Sequence, residues 1–216
     1  MIKGILFDLD GVIVDTAVFH YAAWRRMANE LDFDIDEAFN ETLKGISRMD
    51  SIDRILKHGN VALPVARILE LATQKNDWYV EKVDKMTKAH ILPGVEDLIQ
   101  QIKDMGLGMA LGSASKNAPR ILEKIGLIHH FDALVDGNSV TRSKPDPEVF
   151  IKGAEALKLK NEECLVVEDA IAGIKAAHAA GMKAVGIGTK ENLPNADLIL
   201  ASFEGVDLNK LLKKIK

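Results

Sequence analysis

Cysteine occurs once in this chain of 216 residues, as Cys164, so no internal disulfide can form. Such a chain suits a reducing compartment, and the apolar run around Cys164 predicts a buried packing role rather than a chemical one. Long hydrophobic runs are missing as well. None approaches the ~20 residues of a membrane helix, and the N-terminus passes straight into a strand rather than a signal peptide. Blocks of one charge sign are also lacking, and the net charge is −4, which argues against a nucleic-acid surface. These absences predict a cytoplasmic protein with neither a membrane nor a nucleic acid as partner. The 47% of hydrophobic residues can bury a sizeable core, in one large domain or two smaller ones. There is no internal repeat and no low-complexity tract.

Aromatic residues are few, at 5%, and unevenly placed. Both tryptophans (Trp24, Trp78) and both tyrosines (Tyr21, Tyr79) fall between Val14 and Lys88, a stretch with only two of the 16 glycines, Gly45 and Gly59. Within it Val18, Tyr21, Ala22, Met27, Ala28 and Leu31, and later Val65, Ile68, Leu69, Ala72 and Val80, approximate helical spacing. Residues 14–88 therefore read as an all-helical insert. After Gly94 the pattern changes to short apolar runs at Gly108–Gly112, Ala133–Val135, Leu165–Val167 and Ala184–Ile187, which read as buried parallel strands. Helices are predicted between them at Leu98–Met105, Pro119–Ile125, Pro147–Leu157 and Ile171–Ala180. Gly126 and Gly181 stand at C-cap positions. The fold class is α/β: a Rossmann-like parallel sheet core from 1–13 and 89–216, interrupted by the helical module. Lys210, Lys213, Lys214 and Lys216 end a C-terminal helix, where positive charge suits the dipole.

Near the N-terminus, Ile5-Leu6-Phe7-Asp8-Leu9-Asp10-Gly11 delivers two aspartates from an apolar strand into a glycine turn. In extended chain, positions i and i+2 point the same way, roughly 6 to 7 Å apart. That gap fits a tetrahedral phosphoryl group, one carboxylate attacking phosphorus and the other handling the proton of the oxygen that leaves or arrives. A solvated Asp-Leu-Asp-Gly turn accounts for the pair equally well in isolation. In open parallel sheets, however, ligands sit outside the carboxyl ends of the strands, where these aspartates fall.

Other strand ends supply matching groups. Ser113-Ala114-Ser115-Lys116-Asn117 precedes a helix with Pro119 in its first turn, a place where free N–H groups bind phosphate, although a plain Ser/Asn N-cap reads the same. Lys144, held out of helical geometry by Pro145, would offset charge on a transferring phosphate. Glu168 and Asp169 end another strand. With Asp8 and Asp10 they make four converging carboxylates, which would repel one another unless a hard divalent cation, Mg²⁺ by preference, stood among them.

Asp8-Leu9-Asp10-Gly11, Ser113, Lys144-Pro145 and Glu168-Asp169 resemble, in order and placement, the four motifs of the haloacid dehalogenase superfamily. The resemblance implies that Asp8 becomes an aspartyl phosphate and Asp10 is the general acid and base. It also implies that Ser113 and Lys144 hold the phosphate, and that Asp8, the Asp10 carbonyl and Asp169 bind Mg²⁺ with Glu168 close by. The helical insert then resembles a cap domain.

Within that cap, Lys44-Gly45-Ile46-Ser47-Arg48 followed by Asp50 and Ser51 resembles the corresponding segment of the β-phosphoglucomutase subfamily. Thr16, His20, Trp24, Lys75-Asn76-Asp77 and the whole Ser113–Asn117 run match it too. A mutase must hold a bisphosphorylated sugar by the phosphate that is not reacting. Arg48 offers the planar donor fork for it, with Ser115, Lys116 and Asn117 completing the site from the core. Lys75 would contact sugar hydroxyls, and His20 would couple cap closure to the placement of Asp10. The expectation is a monomeric, Mg²⁺-dependent isomerase interconverting β-glucose 1-phosphate and glucose 6-phosphate through the 1,6-bisphosphate. A sugar-phosphate phosphatase on the same motifs is the alternative, and a non-catalytic phosphate-binding protein a more distant one. Taken singly, Arg48 and Lys75 also read as solvated helix charges and His20 as a core histidine.

Overall fold

The computed structural model describes residues 1–215, so Lys216 and its expected place near the helix end lie outside the described residues. Six strands form one parallel sheet: β1 (Gly4–Phe7), β2 (Gly108–Gly112), β3 (Ala133–Val135), β4 (Cys164–Glu168), β5 (Lys183–Ile187) and β6 (Leu198–Leu200), in the order β3-β2-β1-β4-β5-β6. The expected α/β class is therefore the observed one. Because both sheet faces are covered, the strands are apolar along their length, and alternate side chains enter different cores. Ile5 and Phe7 join Met109, Leu111, Leu165 and Val167 on one face. Leu6 joins Ala110, Val166 and Ala184 on the other.

Helices α1 (Ala17–Asn29), α2 (Glu37–Glu41), α3 (Arg48–His58) and α4 (Val65–Val83) lie between β1 and β2. The rest are α5 (Val95–Asp104), α6 (Ala118–Ile125), α7 (Glu148–Ala156), α8 (Ile171–Ala179) and α9 (Leu208–Lys214). The cap helices have an apolar centre of their own, made of Trp24, Met27, Ile35, Ile52, Ile55 and Leu71. Here the structure corrects the sequence-predicted stripes. Val18, Val65 and Leu69 are among the most exposed large apolar residues of the chain. The buried faces are instead Ala23, Trp24, Met27 and Ala28 in α1, and Leu71, Ala72, Lys75, Tyr79 and Val83 in α4. A lysine in the second face disguises the period. Helices α2 and α3 and strand β6 extend the expected set, and Gly181, in left-handed conformation, falls one residue past the α8 cap at Ala180.

The chain leaves and re-enters the core at one place. Val14 bridges both Asp10 and Ile91, and the Leu92 amide donates to the Ile13 carbonyl at 2.9 Å. No helix among the described residues is long and apolar enough to cross a membrane.

Candidate active site

Sheet register brings the functional groups to one edge. Phe7 pairs with Leu111 on one side and Val167 on the other, so Asp8 emerges level with Gly112 and Glu168. The Asp8 amide donates to the Val167 carbonyl at 2.9 Å, and the Ser113 amide to the Val135 carbonyl at 2.9 Å, which ties both residues to the ends of their strands. Lys144 is 2% exposed, and its ammonium donates to Asp8 Oδ1 at 2.7 Å and to Glu168 Oε1 at 2.6 Å. Burial works against its charge. Asp8 and Glu168 outweigh that and hold the ammonium above its ordinary range.

Two glycines make room for this cluster. Gly11 has φ +72°, and a Cβ there would stand 2.0 Å from Asp169 Oδ2. A Cβ at Gly173, in the first turn of α8, would stand 1.8 Å from Glu168 Oε1. Any side chain at either position displaces a carboxylate, so these glycines are set by close approach.

Asp8, Glu168 and Asp169 present carboxylate oxygens all within 4.8 Å of one another. Burial raises the Asp169 carboxyl well above its ordinary range, and Glu168 and Asp8 push it further. Glu168 rises to about 7, through burial first, Lys144 opposing and Asp8 adding. One ammonium cannot neutralise this group, and Lys44, 3.6 Å from Asp169 and 2.9 Å from Glu41, supplies only a distant second. Hard oxygen donors with surplus negative charge suit a divalent cation.

Asp10 faces the cleft with a different environment. Burial, then the Asp8 charge, lifts its carboxyl to about 7, although Thr16, Lys75 and Lys144 pull the other way. The Thr16 hydroxyl donates to Asp10 and in turn accepts from Tyr79 at 3.1 Å. A carboxyl near 7 can both give and take a proton at neutral pH. On the same wall, Lys75 Nζ stands 2.7 Å from His20 Nδ1. Burial, then the Lys75 and Arg48 charges, holds the imidazole well below its usual range, which favours the neutral ring. Burial and Arg48 lower Lys75 too. The faces of Trp24 and Tyr79, 4.1 and 5.0 Å from its ammonium, partly replace lost water.

Across the cleft, Ser47 caps α3, accepting from the Asp50 amide at 3.1 Å, and this puts Arg48 at the first helical position. A cation there opposes the helix dipole, a cost of about 0.3–1 kcal/mol that an anion would reverse. Burial lowers the guanidinium from its ordinary range, and no salt bridge to it exists among the described residues. Its side-chain partner is the Asn76 carbonyl oxygen at 2.6 Å, which also accepts from Asn117 Nδ2 at 2.9 Å.

The sequence-predicted site residues gather in and around one cleft of about 850 Å³. Trp24, Lys44, Gly45, Ser51, Lys75 and the run Ser113-Ala114-Ser115-Lys116-Asn117 line it with Asp8, Asp10, His20, Arg48 and Asp169. Thr16, Lys144 and Glu168 do not; they are buried behind it and act through Asp8 and Asp10. Sequence reasoning gave no site role to three contributors, two of which, Asn76 and Asp50, it had quoted only as part of matching segments. Asn76 joins the two sides of the cleft, Tyr79 backs Thr16, and Asp50 accepts from the Ser143 hydroxyl at 2.6 Å, linking α3 to the loop before Lys144. Thr141 and Arg142, in the same loop, donate their amides to Glu148 at 3.0 and 2.9 Å and so anchor it to the start of α7.

Comparison with known proteins agrees with this architecture. The family model described as haloacid dehalogenase-like hydrolase matches residues 5–187. A β-phosphoglucomutase of Bacillus subtilis is 39% identical over 211 residues, 97% of this chain and 93% of the relative. The crystal structure of a β-phosphoglucomutase from Clostridium difficile superposes with a TM-score of 0.96 at 42% identity, covering 100% of this chain and 97% of the other. A fructose-1-phosphate phosphatase of Escherichia coli is also similar, at 31% identity over 85% of this chain and 95% of its own. The chain thus belongs to the haloacid dehalogenase-like hydrolases, within their β-phosphoglucomutase subfamily.

Proposed function

We propose that this protein is a β-phosphoglucomutase, interconverting β-glucose 1-phosphate and glucose 6-phosphate through an aspartyl phosphate on Asp8 and enzyme-bound glucose 1,6-bisphosphate. The observation that carries the reading is the meeting of Arg48 and Asn117 on Asn76 in the same cleft that Asp8 lines, a pair of donors from cap and core that we read as a second anion site. A phosphatase hands its phosphoryl group to water and has no comparable need for it.

From the bisphosphate, an Asp8 oxygen attacks phosphorus, the bond from phosphorus to the sugar oxygen breaks, and Asp10 gives that oxygen its proton. In the other half-reaction Asp10 takes the proton of the incoming sugar hydroxyl, whose oxygen attacks the aspartyl phosphate and releases the Asp8 carboxylate. Ser113 holds the transferring group and Lys144, from behind the cleft, positions the Asp8 carboxylate, while Arg48, Ser115, Lys116 and Asn117 hold the other phosphate. Asp8, the Asp10 carbonyl and Asp169 would bind Mg²⁺, with Glu168 close by; the ion would neutralise charge between the attacking carboxylate and the phosphate. Lys75, His20 and Trp24 form the sugar wall, and closure of the cap keeps water from the aspartyl phosphate.

One assay separates mutase from phosphatase: β-glucose 1-phosphate with Mg²⁺ and a trace of bisphosphate, following glucose 6-phosphate and free phosphate independently. Isomer should greatly exceed phosphate, and rapid phosphate release without isomer would sink the reading. Arg48→Ala should cut isomerisation by about 10²-fold or more, while Asp8 still accepts a phosphoryl group from acetyl phosphate.

Metal binding should depend on pH with a definite sign. Glu168 and Asp169 both titrate above their unfolded values, so in metal-free protein they favour the fold at low pH; Glu168 loses that contribution as pH rises through about 7, and Asp169 acts in the same direction. Protons and Mg²⁺ compete for the same oxygens. The rise in Tm on adding Mg²⁺ is therefore expected to be larger at pH 8 than at pH 6, and the reverse order would exclude this carboxylate cluster as the metal site.

A further inference from the structure

We infer that the Asn76 side chain occupies the second phosphate site in the free enzyme, as an internal surrogate that an incoming phosphate displaces. The inference rests on the reading of Arg48 and Asn117 as phosphate ligands and deepens it.

Both groups donate to one atom. Asn76 Oδ1 takes the Arg48 guanidinium at 2.6 Å and the Asn117 amide at 2.9 Å, one from the cap and one from the core. A phosphate oxygen at this place would receive the same two donors. Three local choices otherwise lack a reason. Asparagine is a poor helix former, yet Asn76 sits inside the 19-residue helix α4. Asn117 stands at the N-cap of α6, where its side chain would ordinarily accept from the helix, and makes no such bond. Arg48 has several donors, and its side-chain bond goes to a neutral amide rather than to a carboxylate. A half-buried guanidinium left without any acceptor would still carry a cost. A neutral amide meets that need in the free protein, and it is the weaker acceptor, so a phosphate dianion can replace it. The same atom also ties cap to core before substrate arrives.

The thermodynamic sign follows. Whatever stabilises the free state through Asn76 must be given up on binding, so weakening the surrogate tightens the ligand and strengthening it loosens the ligand. Asn76→Ala is expected to lower the Kd for glucose 6-phosphate by about threefold to tenfold, the equivalent of one such hydrogen bond. Asn76→Asp, whose carboxylate would pair with Arg48, should raise that Kd by more than about tenfold and steepen its dependence on salt. Titration calorimetry with glucose 6-phosphate on both full-length variants and on Arg48→Ala decides the matter, with Tm confirming that each is folded. If both Asn76 variants weaken binding while Arg48→Ala abolishes it, Asn76 is an ordinary ligand or support and the surrogate is overturned, with the phosphate site intact. If Arg48→Ala binds as well as the parent, the phosphate site itself is misplaced.

Discussion

Replacing Asp8 by asparagine should lower turnover by ~10⁴-fold or more while leaving the fold intact. An amide oxygen can still accept from Lys144, but it cannot displace a sugar oxygen from phosphorus, so no aspartyl phosphate forms. The stability side of the result is as specific. The Asp8 charge raises Asp10, Glu168 and Asp169 together, so its removal relieves three neighbours at once. Metal-free Asp8→Asn is therefore expected to melt no lower than the parent protein, and to gain less from Mg²⁺. Intact-mass measurement after exposure to acetyl phosphate provides the chemical readout: a gain of one phosphate in the parent and none in the variant. Phosphate appearing on the variant would mean that another side chain is the nucleophile.

Lys144→Met should have the largest effect on stability. The ammonium holds Asp8 and Glu168 at 2.7 and 2.6 Å in surroundings with almost no water. Removing one partner of a buried ionic group costs about 3–5 kcal/mol, because the opposite charge stays behind unpaired. In a chain of this length that corresponds to a fall in Tm of roughly 10 °C. The loss should itself vary with pH. Without the ammonium, Glu168 takes up a proton more readily, and a raised carboxyl favours the fold at low pH and ceases to do so as pH rises through its folded value. The variant should therefore lose more stability at pH 8 than at pH 6, measured by thermal unfolding with a chelator present. Equal losses at both pH values would show that the titration of Glu168 does not govern the stability of the variant.

Much of the sheet was legible because its strands are buried on both faces. The boundaries expected for β2 and β3 are those observed, and the strand-end motifs fell where register put them. The cap was legible as helical but not in its faces, since the core of α4 includes Lys75, a residue that any periodic reading assigns to solvent. Helix α3 carried a start signal, Ser47 three residues before Asp50, within a segment whose resemblance to a binding motif drew the reading elsewhere. Strand β6 has three half-buried residues at the sheet edge, too short for periodicity to register. Of the candidate site, the residues that gather in the cleft could be named from the sequence, but their pairings with one another could not. Asn76 meets Asn117 across 41 residues, and Asp50 meets Ser143 across 93. Spacing along the chain says nothing about partners brought together only by the way the cap settles on the core.

The paired crossing of the chain at Val14 and Ile91 has a wider consequence. Because the outgoing and returning segments are bonded to each other, the module between them enters and leaves through a single rung, and its length is invisible to the sheet. Lineages could exchange or rebuild the module and keep the reaction, altering only which molecule receives the phosphoryl group. The same rung joins Val14 to Asp10. The point at which the module is attached is thereby bonded to the second aspartate of the cleft, so whatever module is carried there stands in register with that carboxyl.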